Sequence, residues 1–267
     1  MTSFSSQETL ERIHAALEAA REVLNRFTPG AIDAEYKAGH DPVTEADRTV
    51  DDVLRKLLLR EGEGWLSEET VDDLSRLGKP RVWVVDPLDG TREFVQGIPE
   101  FCVSIAMVEN GIPVAGGICN PATDELILGC RESGVTYNGK RAQSSQRRDL
   151  HGALVLASRS EVKRGEWKRF ESAEFTMRPM GSVAYKLGLV SAGLADITFT
   201  LVPKHEWDVA AGAALVLSAG GFVHTLENTD LKCNQKNPLI TGLIAGGPHL
   251  QTGLMALLHD HLHPVDR

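Results

Sequence analysis

Residues 82 to 94 run Val-Trp-Val-Val-Asp-Pro-Leu-Asp-Gly-Thr-Arg-Glu-Phe, and their types and spacing are the best suited in the chain to do chemistry. The apolar run Val82 to Val85 reads as a buried strand that ends on two carboxylates, Asp86 and Asp89. Pro87 and Gly90 predict a tight turn that would crowd both acids at the strand end. Gly90 and Thr91 then offer backbone N–H groups where the next segment begins, a seat for phosphate oxygens. Two hard oxygen donors beside an anion seat suit divalent-metal chemistry on a phosphate ester. Asp-Gly is also a common turn dipeptide, so this stretch alone leaves an ordinary polar turn open.

Two further acidic segments bear on the choice. Gly64-Trp65-Leu66-Ser67 is a short apolar stretch that ends on Glu68 and Glu69. Adjacent acids repel, and burying them is costly unless a cation compensates; surface solvation is the alternative. His205-Glu206-Trp207-Asp208 opens a helix of small residues that runs to about Ala219. Taken alone, Asp208 reads as a cap that interacts with the helix dipole.

Taken together, these segments resemble the inositol monophosphatase superfamily, which includes the bisphosphate nucleotidases and is related to fructose-1,6-bisphosphatase. The family's Trp-x-x-Asp-Pro-Leu-Asp-Gly-Thr block stands at residues 83–91, and its Trp-Asp-x-Ala-Ala-Gly block at residues 207–212. Its Glu-Glu pair appears as Glu68 and Glu69, and its Asp-x-Val-Thr-x-x-Asp element runs from Asp41 to Asp47. The resemblance covers nearly the whole chain. It implies a layered α-β-α-β-α sandwich, with a metal site between an N-terminal half (1–145, carrying Glu68 and residues 86–91) and a C-terminal half (146–267, carrying Trp207 and Asp208).

It further implies an all-oxygen set for two or three Mg²⁺ ions, with Mn²⁺ as a substitute. Glu68 and Asp86 would share the first ion with the Leu88 carbonyl, and Asp86, Asp89 and Asp208 would hold the second. Ions roughly 3.5–4 Å apart would activate a water and stabilise the leaving oxygen. Thr91, backed by Asp47 and helped by Glu68, would orient and deprotonate that water. The Gly90 and Thr91 amides would bind phosphate oxygens. No covalent phosphoenzyme is expected. Inhibition by lithium and a homodimer follow from the same kinship.

The substrate implied is a small phosphorylated metabolite. Inositol phosphate hydrolases carry an acid about seven positions before the second-block aspartate, where it meets sugar hydroxyls; here that position is Leu201. Ser158-Arg159-Ser160, residues 181–186 and Cys233-Asn234-Gln235 resemble bacterial 3′(2′),5′-bisphosphate nucleotidases instead. A second phosphate needs a cation, which Lys186 or Arg159 would supply, with Ser182 beside them. The alternative is that both are ordinary surface charges. The expected reaction is therefore removal of one phosphate from a 3′,5′-bisphosphorylated nucleotide. The alternatives are an inositol-1-monophosphatase or other sugar phosphatase, and a non-catalytic binder of a phosphorylated ligand.

Composition agrees with a small-molecule enzyme. The chain has 267 residues, enough for one large domain or two joined halves, and 37 acidic against 28 basic residues. Its net charge of −9 argues against a nucleic-acid polymer or an anionic membrane as partner. Cys102, Cys119, Cys130 and Cys233 lack Cys-x-x-Cys spacing and read as buried free thiols. Without a hydrophobic leader or an apolar run of membrane length, a soluble cytosolic protein is expected. His259, His261 and His263 lack a partnering ligand framework and read as solvated.

The elements that must position these residues follow from periodicity. Leu10, Ile13, Leu17, Ala20, Leu24 and Phe27 predict a first helix behind a Ser5-x-x-Glu8 cap, ended by Pro29-Gly30. A second helix follows Pro42, with Val50, Val53, Leu54, Leu57 and Leu58 on one face and a Thr44/Asp47 capping box. Strands are expected at 82–85, 102–108, 114–119, 126–130, 153–157, 195–200 and from 222, and helices near 183–192, 207–219 and 249–260. Asn110-Gly111, Pro121 and Asn138-Gly139 mark turns. The polar stretch 141–152 is the expected boundary between halves.

Overall fold

The computed structural model describes residues 5–36 and 42–262; Asp41 and His263 lie outside the described residues. Strands β1 (Gly64–Ser67), β2 (Arg81–Asp89), β3 (Cys102–Glu109), β4 (Ile112–Asn120), β5 (Glu125–Cys130), β6 (Gly134–Tyr137) and β7 (Lys140–Ala142) form a seven-stranded sheet in sequential order. It is an antiparallel meander except for β1, which pairs parallel with β2. Asn110-Gly111 and Asn138-Gly139 adopt positive φ at both residues, which gives tight hairpins at β3–β4 and β6–β7.

One face of this sheet carries helices α1 (Ser6–Leu24) and α2 (Glu45–Leu58) over a core of Ile13, Leu17, Val50, Leu54, Trp83 and Ile105. Ser5 caps α1 by accepting the Glu8 N–H at 3.1 Å. The helix ends at Leu24, short of Phe27, because Asn25 closes its last turn onto the Arg21 carbonyl; Phe27 still packs against the same core. On α2, Val50, Leu54 and Leu58 are buried, but Leu57 turns outward and is half exposed.

The other face packs against α5 (Val183–Ser191) and α6 (Glu206–Ser218). Both helices are apolar all round, as a layer between two sheets requires. Small residues permit the approach: a Cβ on Gly212 would lie 2.3 Å from Leu187, and one on Gly116 would lie 2.4 Å from the Ala211 carbonyl oxygen. Beyond them a five-stranded sheet comprises β8 (Leu154–Ser158), β9 (Thr176–Met180), β10 (Ile197–Thr200), β11 (Phe222–Thr225) and β12 (Leu243–Gly246), in the order β9-β8-β10-β12-β11. Short helices α3 (Thr91–Val95) and α4 (Arg159–Lys163) follow β2 and β8, and α7 (Gln251–Leu262) covers the outer face with Leu254 and Leu258, joined by Leu250 just before it. The result is the layered α-β-α-β-α sandwich. All four cysteines are buried and unpaired. His261 packs against Phe170 at 5.2 Å, which corrects the fully solvated reading of that residue. No described helix is long and apolar enough to cross a membrane.

Candidate metal and phosphate site

The β2 strand continues past Val85 to Asp89, where the sequence suggested a turn. Asp86 pairs with Ser104 and Asp89 with Cys102, so three steps on β2 face two on β3. In a regular strand, residues three apart point to opposite faces. The extra residue of this bulge returns Asp89 to the face of Asp86. Gly90 then turns the chain at φ 99°, and a Cβ there would lie 2.8 Å from the Glu100 carbonyl oxygen, so glycine serves the turn.

Glu68 sits directly after β1, one strand away. Asp208 arrives from the first turn of α6, where its Oδ2 accepts the His205 N–H at 2.8 Å. Carboxylate oxygens of Glu68, Asp86 and Asp208 all lie within 4.8 Å of one another. Asp86 Oδ1 accepts the Leu88 N–H at 3.0 Å, while its buried Oδ2 has no hydrogen-bond partner. Burial, then the charges of Glu68, Asp89 and Asp208, raise the Asp86 pKa well above the usual carboxylate range. Burial, Asp89 and Glu68 do the same to Asp208. An orphaned carboxylate oxygen amid mutually repelling acids fits a hard divalent cation.

Asp89 lies beside this trio and is held from the opposite side. Its Oδ2 accepts the Ser182 hydroxyl at 2.7 Å and the Ala184 N–H at 2.6 Å. Burial raises its pKa, opposed by those two donors and by Lys186. Lys186 is 3% exposed; its ammonium donates to the Ser182 carbonyl at 2.7 Å, with the Met180 and Gly181 carbonyls at 3.4 Å. Burial lowers its pKa to about 8. Lys186 lines the site cavity, but its ammonium is turned onto these carbonyls, and its charge faces that of Asp89.

The Thr91 hydroxyl lies 3.0 Å from Asp47 Oδ1 and 2.9 Å from the Leu88 carbonyl oxygen. Asp47 Oδ2 accepts the Thr44 N–H at 2.8 Å and the Thr44 hydroxyl at 2.6 Å, the back-reaching half of a capping box. Burial raises the Asp47 pKa against the pull of Thr44 and Thr91. Arg159 stands at the rim, with Nη2 donating to Glu100 Oε2 at 2.5 Å and Nε 3.9 Å from Glu93. Thr91 and Arg159, with Glu68, Asp89, Lys186 and Asp208, line a cavity of about 450 Å³, which Gly90, Ser182, Lys204 and His205 also border.

Asp51 was not anticipated. It accepts the Ser67 hydroxyl at 2.5 Å and the Thr70 hydroxyl at 2.7 Å, which pins the chain on both sides of Glu68 and Glu69. Its spacing from Asp47, one helical turn on, was the available signal. Trp207 is partly buried and stacks on the His205 ring at 4.4 Å, beside the Asp208 backbone.

A buried all-oxygen cluster facing a polar cleft in a layered α/β fold defines a metal-dependent phosphoric monoester hydrolase. The chain belongs to the inositol monophosphatase family, whose model matches residues 6–263. It is 32% identical to the Nus factor SuhB of Escherichia coli (strain K12) over 94% of this chain and 96% of that protein. It is 36% identical to an inositol-1-monophosphatase of Mesorhizobium japonicum over 80% of this chain and 84% of that one. Among solved structures, CysQ from Bacteroides thetaiotaomicron superposes with a TM-score of 0.77 at 27% identity, covering 92% of this chain and 99% of that one.

Proposed function

We propose that the protein removes one phosphate from a 3′(2′),5′-bisphosphorylated nucleotide. Glu68, Asp86 and Asp208, with Asp89 and the Leu88 carbonyl beside them, would hold Mg²⁺, or Mn²⁺ in its place. When bound, the ions supply the positive charge that a phosphate ester and an attacking water need. Thr91 Oγ1 orients that water by accepting one of its protons while passing its own toward Asp47 Oδ1. The raised Asp47 pKa suits it to receive that proton. The Gly90 and Thr91 amides steady the phosphate oxygens.

The observation that carries the substrate assignment is at Arg159. Its Nη2 is paired with Glu100, but its Nε, 3.9 Å from Glu93, is a buried donor without a hydrogen-bond partner, and the residue lines the cavity. A buried guanidinium donor of this kind suits an anionic group of the ligand. Lys204 lines the same cavity, and Leu201, where a polyol-binding acid would stand, packs against the apolar cluster of Val155 and Phe199. Lys186 lines this cavity too, but its ammonium is bonded to three backbone carbonyls, which leaves Arg159 and Lys204 as the better candidates for a second phosphate. An inositol-1-phosphatase is the second reading, favoured by the name of the Mesorhizobium relative.

Phosphate release from 3′-phosphoadenosine 5′-phosphate, inositol 1-phosphate and fructose 1,6-bisphosphate, compared at one Mg²⁺ concentration, tests the assignment. The largest kcat/KM is expected on the nucleotide, with lithium inhibiting; a preference for inositol 1-phosphate reverses the reading. No release from any substrate, with binding retained, would indicate a binding protein. Arg159→Ala is expected to lower kcat/KM on the nucleotide by about ten- to a hundredfold and to affect a monophosphate far less. Lys186→Met should depress both substrates alike, since Lys186 supports Asp89. Selective loss in the Lys186 variant would return the second phosphate to that residue.

A further inference from the structure

The connection between β1 and β2, residues 68–80, begins with Glu68 and joins two parallel strands without a helix. Such crossovers usually pack a helix against the sheet. Here the connection is tied down by Arg76, whose side chain is 0% exposed. Its Nε and Nη2 grip Asp72 on the same loop. Its Nη1 donates to Asn234 Oδ1 at 2.7 Å, and Nη2 donates to the Gln235 carbonyl at 2.9 Å. Asn234, at φ 58°, returns a weak bond from Nδ2 to the Arg76 carbonyl at 3.4 Å.

The chain of contacts continues into α6. Glu206, the first residue of that helix and buried, accepts the Asn234 N–H at 2.6 Å and the Gln235 N–H at 2.9 Å. Its own N–H donates to the Pro238 carbonyl at 2.8 Å. Two residues on is Asp208. A continuous set of hydrogen bonds thus runs from the loop that starts at Glu68 to the helix start that carries Asp208. Glu68 and Asp86 are aligned by adjacent strands of one sheet, but Asp208 comes from a separate layer. A fork of fixed donors gripping that layer's connecting segment determines where α6 begins.

We propose that Arg76, acting through Asn234, Gln235 and Glu206, is a positioning residue that brings Asp208 into register with Glu68 and Asp86 for metal binding. This rests on the ligand set assigned above. Residues with such roles typically change metal affinity by about 10–100-fold when altered.

Binding of Mn²⁺, followed by the loss of the free-ion electron paramagnetic resonance signal, tests this with thermal unfolding in chelator alongside. Asn234→Gly keeps the left-handed backbone and removes only the side chain, and Arg76→Lys keeps the charge but not the fork. Both are expected to bind Mn²⁺ about 10–100-fold more weakly than wild type. Arg12→Lys is the control: Arg12 is buried against Glu63 at 2.7 Å beside the same sheet and has no link to α6. It should lower the unfolding temperature yet leave Mn²⁺ affinity unchanged. Wild-type affinity in Asn234→Gly, or equal weakening in Arg12→Lys, overturns the proposal, whether or not Arg76→Lys folds. Wild-type protein that fails to bind Mn²⁺ overturns the ligand assignment, and the positioning role with it.

Discussion

In excess chelator the protein is expected to release no phosphate, and its stability should depend on pH in the direction opposite to that of the Mg²⁺-loaded form. Burial and mutual repulsion hold the Asp86 and Asp208 pKa values well above their unfolded values, and Asp89 and Asp47 are raised as well. Between the unfolded and folded values, the folded state carries more protons than the unfolded one. Stability is therefore fully present at low pH and is lost as pH rises through the folded values. The chelated protein should melt higher at pH 5 than at pH 8. A divalent ion that binds the deprotonated carboxylates competes with those protons, so its stabilisation should be greatest at pH 8. Mg²⁺ at a hundred times its Kd would add about 2.7 kcal/mol, or roughly 5–10 °C in Tm. Calorimetric scans at the two pH values, with and without Mg²⁺, check this together with a phosphate-release assay. Full turnover in chelator would end the metal mechanism.

The second large effect is expected at Asp89. Asn at this position can give its oxygen to Ser182 and Ala184, the partners of Asp89 Oδ2. It then presents an amide N–H₂, with no lone pair to offer, to the cluster. The variant should keep the native circular dichroism spectrum, and its kcat should fall about a thousandfold or more, equivalent to about 4 kcal/mol of lost transition-state stabilisation. Removing one of several crowded charges should also make the chelated variant melt higher than chelated wild type. Near-normal turnover would assign Asp89 to the start of α5 and not to the chemistry.

The sequence was most legible where local chemistry and tertiary demand coincide. The Thr44/Asp47 box, the Asn-Gly hairpins and the apolar strands around Trp83 each announce themselves within a few residues. Glu68, Asp86, Asp89 and Asp208 are visible as acids that end or interrupt apolar stretches, whereas Asp51 has no such motif around it. The bulge at Asp86 to Asp89 was not, since a strand with one extra residue reads in sequence like a strand followed by a turn. Strands β9 and β12 were missed. Residues 176–180 include Arg178 and Pro179 at an exposed sheet edge, and residues 243–246 contain two of the small residues that resemble loop. Lys186 illustrates another limit. A cation four residues into a helix can reach a ligand or curl back onto carbonyls of the preceding turn, and only tertiary packing decides between them. The Arg76 network is invisible for a similar reason, since Arg76 and Asn234 are 158 residues apart in the chain and meet only through a layer contact.

Asp47 and Asp208 each occupy the third position of a helix with one carboxylate oxygen, and the other oxygen of Asp47 is turned to Thr91. A single side chain thus answers to two independent selective demands, to begin a helix and to serve a reaction. A lineage that abandoned catalysis would still lose helix stability by replacing either aspartate, since each satisfies a backbone N–H at the helix start. Decay should therefore strike first at Glu68 or at Asp86 Oδ2, which begin no helix. In descendants of this fold, those two positions are the informative record of whether the chemistry survives, and the capping aspartates are poor witnesses.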